Sequence, residues 1–323
     1  MKYKKRIISL FLLLTVFLSI SFTAAAAEAT VAVTIVPQIE MVKAIAGDRV
    51  EVVEMIPKGF SPSNYAPSPA EMRAFNEAGI YFSMGVPADM QNILPRAEEM
   101  ADLEVVKLFE EVEEKYPHRY FGEEDDELVE EGDHDHEEDN EHQSEEADDH
   151  DGHSHAGGRD PHIWLSPARG SYMVEIMRDK LIELLPEYEA EFNKNAAQYL
   201  QRLEDVDQAN KEILEPYQGE EILVYHPSYG YFTEHYGLEM MAIEEEGKDP
   251  GPRHLQKIIE EARKLGIKNV FYQAEIDSRK TRAVAEELGG EIVQLNPLAQ
   301  NYIDNLKLIA EKMAEELSER VDN

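Results

Sequence analysis

The sequence predicts an α/β protein built as two lobes, and three observations carry that prediction. Short apolar stretches with strand spacing alternate with stretches of helical spacing. The alternation occurs twice, once on each side of a long acidic segment. A chain of 323 residues, 42% of them hydrophobic, is also more than one small domain holds and enough to fill two cores.

Residues 1–27 read as an export signal: Met1-Lys2-Tyr3-Lys4-Lys5-Arg6, an apolar run from Ile7 to Phe22, and a small-residue cleavage site at Ala24 to Ala27. The run is short against the ~20 residues a spanning helix needs, although an uncleaved N-terminal anchor would obey the same apolar physics. Cleavage near Ala27 removes four cations and takes the net charge from -36 to -40. With no cysteine there is no disulfide, no thiolate zinc site and no point for an N-terminal lipid, so any metal must be held by nitrogen or oxygen. The expected product is an exported, soluble protein of the periplasm or another extracytoplasmic space. Its charge repels nucleic acid and anionic lipid and favours cations.

Residues 28–122 form the first lobe. Val31, Val33 and Ile35 alternate as a strand, Pro37 to Ala46 is a helix stopped by Gly47, and Val50 to Met55 is a second strand. Helix from Pro69 to Ala78, strand from Gly79 to Phe82, helix from Met90 to Glu99 and strand from Leu103 to Val106 follow. Strands alternating with helices predict a parallel sheet. Residues 123–158 hold 18 Asp or Glu, no Lys or Arg, and His134, His136, His142, His150, His153 and His155. Such a segment cannot bury a core and is expected to be a disordered loop. Residues 159–166 close the first lobe.

Residues 167–216 are helical. Met173, Ile176, Met177, Leu181 and Leu184 mark one helix ended by Pro186, and Phe192, Ala196, Tyr199, Leu203, Val206 and Ile213 mark a longer one. That longer stretch could bridge two lobes or pack as an ordinary hairpin on one sheet; periodicity permits both. Residues 217–323 repeat the α/β pattern, with strands at Glu221 to Tyr225, Met240 to Ile243, Val270 to Tyr272 and Ile292 to Leu295. Helices fall at Ser228 to Tyr236, His254 to Leu265, Ser278 to Leu288 and Asn301 to Leu317. Ligands in such sheets gather beyond the carboxyl ends of strands, which singles out His226, Glu275 and Asn296.

His162 stands in Asp160-Pro161-His162-Ile163-Trp164-Leu165-Ser166, and His226 in Tyr225-His226-Pro227-Ser228-Tyr229-Gly230-Tyr231-Phe232. Neutral imidazole is a common zinc donor, while a partly buried histidine is equally at home as a structural residue. These two blocks, the His-rich acidic segment, residues Gly59 to Pro69 and the closing Leu295-Asn296-Pro297-Leu298 with Tyr302 together resemble the zinc and manganese solute-binding proteins of ABC importers. The resemblance covers essentially the whole mature chain. It implies two similar lobes, each a parallel β-sheet flanked by helices, joined by a long rigid helix. It also implies a divalent metal ion in the cleft between them and a permease in the membrane as partner, with the chain a monomer and not an enzyme.

Two positions depart from the family pattern. Ser63 stands where the family usually has a histidine ligand, and Asn296 where it usually has an aspartate. Their neutral oxygens bind zinc poorly beside imidazole or carboxylate. Glu275, after a strand, could supply the missing carboxylate, or serve only as a solvated loop acid or a helix N-terminal charge. His162, His226 and Glu275, with Asn296, Ser63 or water, would make a tetrahedral site whose nitrogen donors favour Zn2+ over Mn2+. The six loop histidines could gather metal loosely, since ordering their segment costs entropy. His118, His235 and His254 read as structural or surface residues. The competing readings are a carrier of manganese or of a non-metal solute on the same scaffold, and a zinc-dependent hydrolase. The last finds no His-Glu-x-x-His helix or Gly-x-Ser-x-Gly elbow to support it.

Overall fold

A computed structural model describes residues 27–121, 158–244, 248, 250–275 and 278–321. The first lobe contains β1 (Ala29–Val33), β2 (Val50–Glu54), β3 (Ile80–Ser83) and β4 (Glu104–Lys107). The second contains β5 (Glu221–Val224), β6 (Glu239–Ala242), β7 (Val270–Tyr272) and β8 (Ile292–Gln294). Every pairing is parallel, and the orders β2-β1-β3-β4 and β6-β5-β7-β8 repeat one permutation. In each lobe the winding reverses beside the first strand, which opens a crevice beyond the carboxyl ends of β1 and β5.

The inner strands β1, β3, β5 and β7 are largely buried on both faces, while the edge strands β2, β4, β6 and β8 are partly exposed. On β5 the period of two sends Ile222 and Val224 into the main apolar cluster, while Leu223, with Tyr225 just beyond the strand, enters a second cluster in the same lobe. The helix Pro37–Ala46 has the bounds its sequence predicts. Pro37 presets its first turn, and Gly47 ends it at a φ of 57°. Met41, Val42 and Ile45 are buried along it, each gaining ~1.5–3 kcal/mol from the removal of apolar area from water.

The stretch expected as a helix from Met90 to Glu99 instead opens as a π-helical turn, Asp89–Ile93, and continues as a short helix, Leu94–Ala97. Pro95 has no N–H to give to an α-helical ladder, so the regular helix can begin only at its own first turn. A helix that periodicity did not reveal, Leu108–Glu113, follows β4 without a loop and buries Leu108, Phe109 and Val112.

The 26-residue helix Glu189–Leu214 settles the choice between hairpin and bridge. It packs on Pro37–Ala46 of the first lobe and on Tyr302–Val321 of the second. Phe192, Ala196, Tyr199, Leu203 and Leu214 join the one apolar cluster that runs through both lobes. Polar ties fix its ends: Asn195 Nδ2 donates to the Ile45 carbonyl at 2.9 Å, and Asn210 Nδ2 to the Leu306 carbonyl at 3.2 Å. His235 lies 2.7 Å from Asp207 on this helix, in keeping with a structural role. Among the described residues, no helix is long and apolar enough to cross a membrane.

The two edges of the acidic segment are held side by side. Phe121 N–H donates to the Gly158 carbonyl at 3.0 Å, Asp160 N–H to the Arg119 carbonyl at 2.9 Å, and Tyr120 bridges Arg159 antiparallel.

His118, beside this stem, has a buried ring whose Nε2 lies 3.5 Å from Glu113. Burial, reinforced by Arg159 and Arg169, lowers its pKa from 6.5 to about 4. A depressed folded-state pKa means that its contribution to stability is complete above the unfolded value and is lost as pH falls toward the folded one. Between pH 6.5 and about 4 this group should cost on the order of 3 kcal/mol, and urea unfolding of His118→Gln should show a correspondingly flatter pH dependence. Parallel pH profiles for the two proteins would remove His118 as the cause.

Candidate metal site between the lobes

His162 and His226 are brought face to face. Their ring centroids are 5.4 Å apart and the ring planes meet at 79°. His162 precedes the 3₁₀ turn Ile163–Leu165, and both its N–H and its Nδ1 reach Asp160 Oδ1, at 2.9 and 2.8 Å. Trp164, its ring centroid 5.2 Å from that of His162, is buried and donates Nε1–H to the Pro297 carbonyl at 2.8 Å. Tyr231 locks the same loop to the second lobe: its hydroxyl accepts from Arg119 N–H at 2.8 Å and donates to the Asp160 carbonyl at 3.1 Å. The approach is so close that a Cβ on Gly230 would lie 2.8 Å from Arg119 Nε and 3.0 Å from Asp160 Oδ2, so a larger residue would have to displace the Arg119 side chain.

His226 lies just past β5, and its Nδ1 is 2.6 Å from Oε2 of Glu244, which lies just past β6. Each imidazole therefore has a carboxylate on Nδ1. That partner holds the proton on Nδ1 and leaves the Nε2 lone pair for a cation, which is the arrangement of metal-binding histidines. Burial lowers the pKa of His162; Asp160 opposes this, and nearby His226 and Arg159 add to it. The ring is thus neutral at neutral pH, as a donor must be.

The floor beneath the first lobe is equally defined. Asp89 is fully buried and accepts from Tyr81 Oη at 2.5 Å, Ser83 Oγ at 2.7 Å, Gly85 N–H at 2.8 Å and Thr34 Oγ1 at 3.2 Å. Gly85, at a φ of 71°, offers its carbonyl to Arg159 at 2.5 Å, and a Cβ there would meet Phe109 at 2.5 Å. Arg159 precedes Asp160, so this network runs on into the His162 loop.

The remaining candidates are placed differently. Glu275 follows β7, and its Oε2 is buried with no hydrogen-bond partner. Its charge acts on Tyr229, whose hydroxyl is raised well above its usual range by burial first and Glu275 second. Asn296 is half-buried with its oxygens in use: Oδ1 accepts from Leu298 N–H at 2.9 Å, and its carbonyl from Asn305 at 2.7 Å. Ser63 is exposed in a turn where its N–H donates to Ser61 Oγ at 3.2 Å. Among the described residues, no three His, Asp or Glu are grouped to hold a metal. The structure pairs the two histidines but does not add Glu275, Asn296 or Ser63 to them in this arrangement. His134, His136, His142, His150, His153 and His155 lie outside the described residues.

The family model described as "Zinc-uptake complex component A periplasmic", ZnuA, matches residues 31–316. The chain belongs to the ZnuA family. It is 28% identical over 301 residues to the zinc-binding lipoprotein AdcA of Streptococcus pneumoniae, covering 88% of this chain and 55% of that protein. The chain therefore spans about half the length of that relative. It is 26% identical to the high-affinity zinc uptake system protein ZnuA of Bacillus subtilis, over 83% of this chain and 78% of that one. Among solved structures, a crystal structure of ZnuA superposes with a TM-score of 0.74 at 26% identity, covering 89% of this chain and 98% of the other. A zinc-bound ZnuA deletion mutant superposes at 0.73, also at 26% identity, with 89% and 97% covered.

Within this ZnuA-family frame, sequence reasoning missed the two carboxylates behind the histidines. The rule that selected His226 also covers Glu244, which directly follows a strand at the same end of the sheet. Asp160 was visible two residues before His162. Glu244→Gln is expected to weaken zinc binding ~10–100-fold, because the amide no longer favours the Nδ1–H tautomer. Competition against a zinc-responsive dye measures this, and an unchanged affinity would remove Glu244 from the site.

Proposed function

We propose that the exported chain captures a zinc ion in the interlobe cleft and delivers it to the permease of an ABC importer. One observation carries the reading: His162 and His226, donated by different lobes, lie 5.4 Å apart, each with Nδ1 engaged by its own carboxylate. A single zinc ion, with bonds of ~2.0–2.1 Å to nitrogen, can cross-link the lobes through the two Nε2 atoms. Glu275 is the third donor. Its buried Oε2 has no hydrogen-bond partner, a costly state that a nearby cation relieves. Water completes the tetrahedron, with Asn296 and Ser63 too weak or too occupied to do so.

The protein acts as a carrier, not a catalyst. Its output is the metal-bound arrangement of the lobes, which the permease distinguishes from the empty one. Imidazole donors favour zinc over manganese. The loop histidines serve as weak gathering sites. The chain works outside the cytoplasm after export, and with no cysteine it carries no thioether lipid.

Zinc titration of the protein lacking residues 123–157 tests the assignment. Joining Gly122 to Gly158 across the paired stem should leave the fold intact by circular dichroism, and one zinc per chain should bind at neutral pH. A folded deletion protein that binds no zinc would overturn the cleft site.

A further inference from the structure

Buried tyrosine hydroxyls in this chain find hydrogen-bond partners: Tyr81 in Asp89, Tyr199 in Glu40, Tyr231 in the Asp160 carbonyl, Tyr236 in Asn210 and Tyr302 in the Trp164 carbonyl. Tyr229 departs from that pattern. It is 2% exposed and packed in the main apolar cluster, yet its hydroxyl is buried without a partner. An orphaned hydroxyl costs free energy that a phenylalanine would not, so the group calls for a partner supplied by another state of the site.

The complementary group stands on the adjoining loop. Among the described residues, Glu275 Oε2 is the one carboxylate oxygen buried without a partner, and the charge of Glu275 acts on the Tyr229 hydroxyl. Strands β5 and β7 pair at Val224 and Phe271, and Tyr225 N–H donates to the Phe271 carbonyl at 2.8 Å. Just beyond, Ser228 Oγ donates to Gln273 Oε1 at 3.1 Å, which stitches the two loops together. Tyr229 directly follows that serine, and Glu275 lies two residues past that glutamine. The tyrosine's backbone is fixed, because its carbonyl accepts from the N–H groups of Phe232 and Thr233 at 2.9 Å where the helix Gly230–Tyr236 begins. His226 lies three residues earlier in the same loop, its carbonyl accepting from Ser228 N–H at 2.7 Å.

Resting on the assignment of Glu275 as third zinc donor, we propose that Tyr229 is a positioning residue that sets the preference for zinc: its hydroxyl donates to the Glu275 oxygen that does not bind the metal. In the present arrangement the two groups do not bond each other, and each is left unsatisfied. When one carboxylate oxygen takes the zinc ion, the other accepts from Tyr229, so both orphaned atoms gain partners together. A carboxylate held in this way is limited to one metal bond, which suits a tetrahedral zinc site. Manganese favours six oxygen-rich positions and gains less from such a donor.

A double-mutant cycle on the mature chain tests the proposal, with competition against a zinc-responsive dye reading the tight site. Y229F should bind zinc ~10-fold more weakly and manganese as before, and its metal-free melting temperature should not fall, since an orphaned hydroxyl has been removed. In an E275Q background the same change should have no further effect on zinc. Should Y229F fail to fold, 3-fluorotyrosine at position 229 keeps the hydroxyl. Its fluorine resonance should shift when zinc binds, and should not shift in E275Q. An equal loss with and without Glu275, an equal loss for both metals, or a fluorine signal indifferent to zinc would overturn the role of Tyr229 and leave the zinc carrier standing. Unaltered zinc affinity in E275Q, with loss in His162→Ala and His226→Ala, would overturn Glu275 as donor and this inference with it. A parent chain that binds no zinc would overturn the carrier reading itself.

Discussion

Alanine at His226 is expected to lower zinc affinity ~100-fold or more in the protein lacking residues 123–157, and alanine at His162 to do the same. The reason is geometric: the two rings come from different lobes and face each other at 5.4 Å, so in the proposed site each would supply half of the nitrogen ligation across the cleft. Neither side chain belongs to the apolar clusters: His226 lies in the loop after β5 and His162 just before the Ile163–Leu165 turn. Circular dichroism should accordingly match that of the parent. Isothermal titration at neutral pH reads the loss. If only one of the two substitutions weakens binding, a bridging ion is excluded.

The second large effect concerns stability. Asp89→Ala should destabilise the fold by about 3 kcal/mol, measured by urea unfolding at neutral pH with an unchanged m value. The carboxylate accepts from the side chains of Tyr81, Ser83 and Thr34 and from Gly85 N–H, and it is 0% exposed. Removing it strands those buried donors, and a methyl group returns little. Tyr81 stays protonated in this site because burial, and then the charge of Asp89, push its hydroxyl well above its usual range. The effect should reach the proposed zinc site as well, since the Gly85 carbonyl in this network accepts from Arg159, which precedes Asp160 and His162. A loss below about 1 kcal/mol would mean that water takes over the carboxylate's bonds.

Much of the framework could be read from spacing alone. Pro37–Ala46, Val270–Tyr272 and Ser278–Leu288 have the bounds the sequence predicts, because a proline start, a glycine stop or a β-branched and aromatic run is a local signal. The helix Leu108–Glu113 was not legible: six residues following directly on a strand offer too few turns for a period to emerge. The long connecting helix was legible as a helix but not as a bridge, since its apolar stripe is the same whether one lobe or two cover it.

His162 and His226 were legible as candidates by their neighbours, a tryptophan block and a strand end. That they meet was not. Their separation of 64 positions in the chain is closed where the lobes share the apolar cluster through Glu189–Leu214 and where the Tyr231 hydroxyl donates to the Asp160 carbonyl. The carboxylates behind them, Asp160 and Glu244, acquire their meaning from the same closure.

The alternation of strands and helices, the absence of thiol ligands and the acidic, His-rich composition of residues 123–158 could all be read along the chain. These follow from the chemistry and order of neighbouring residues. Folding in three dimensions was needed to bring His162 and His226 face to face, to bury Glu275 Oε2 without a hydrogen-bond partner, and to gather Lys43, Lys58 and Arg202 around one groove. Convergence of residues distant in the chain depends on how packed faces orient loops, and side-chain burial and pairing exist only once those faces have met.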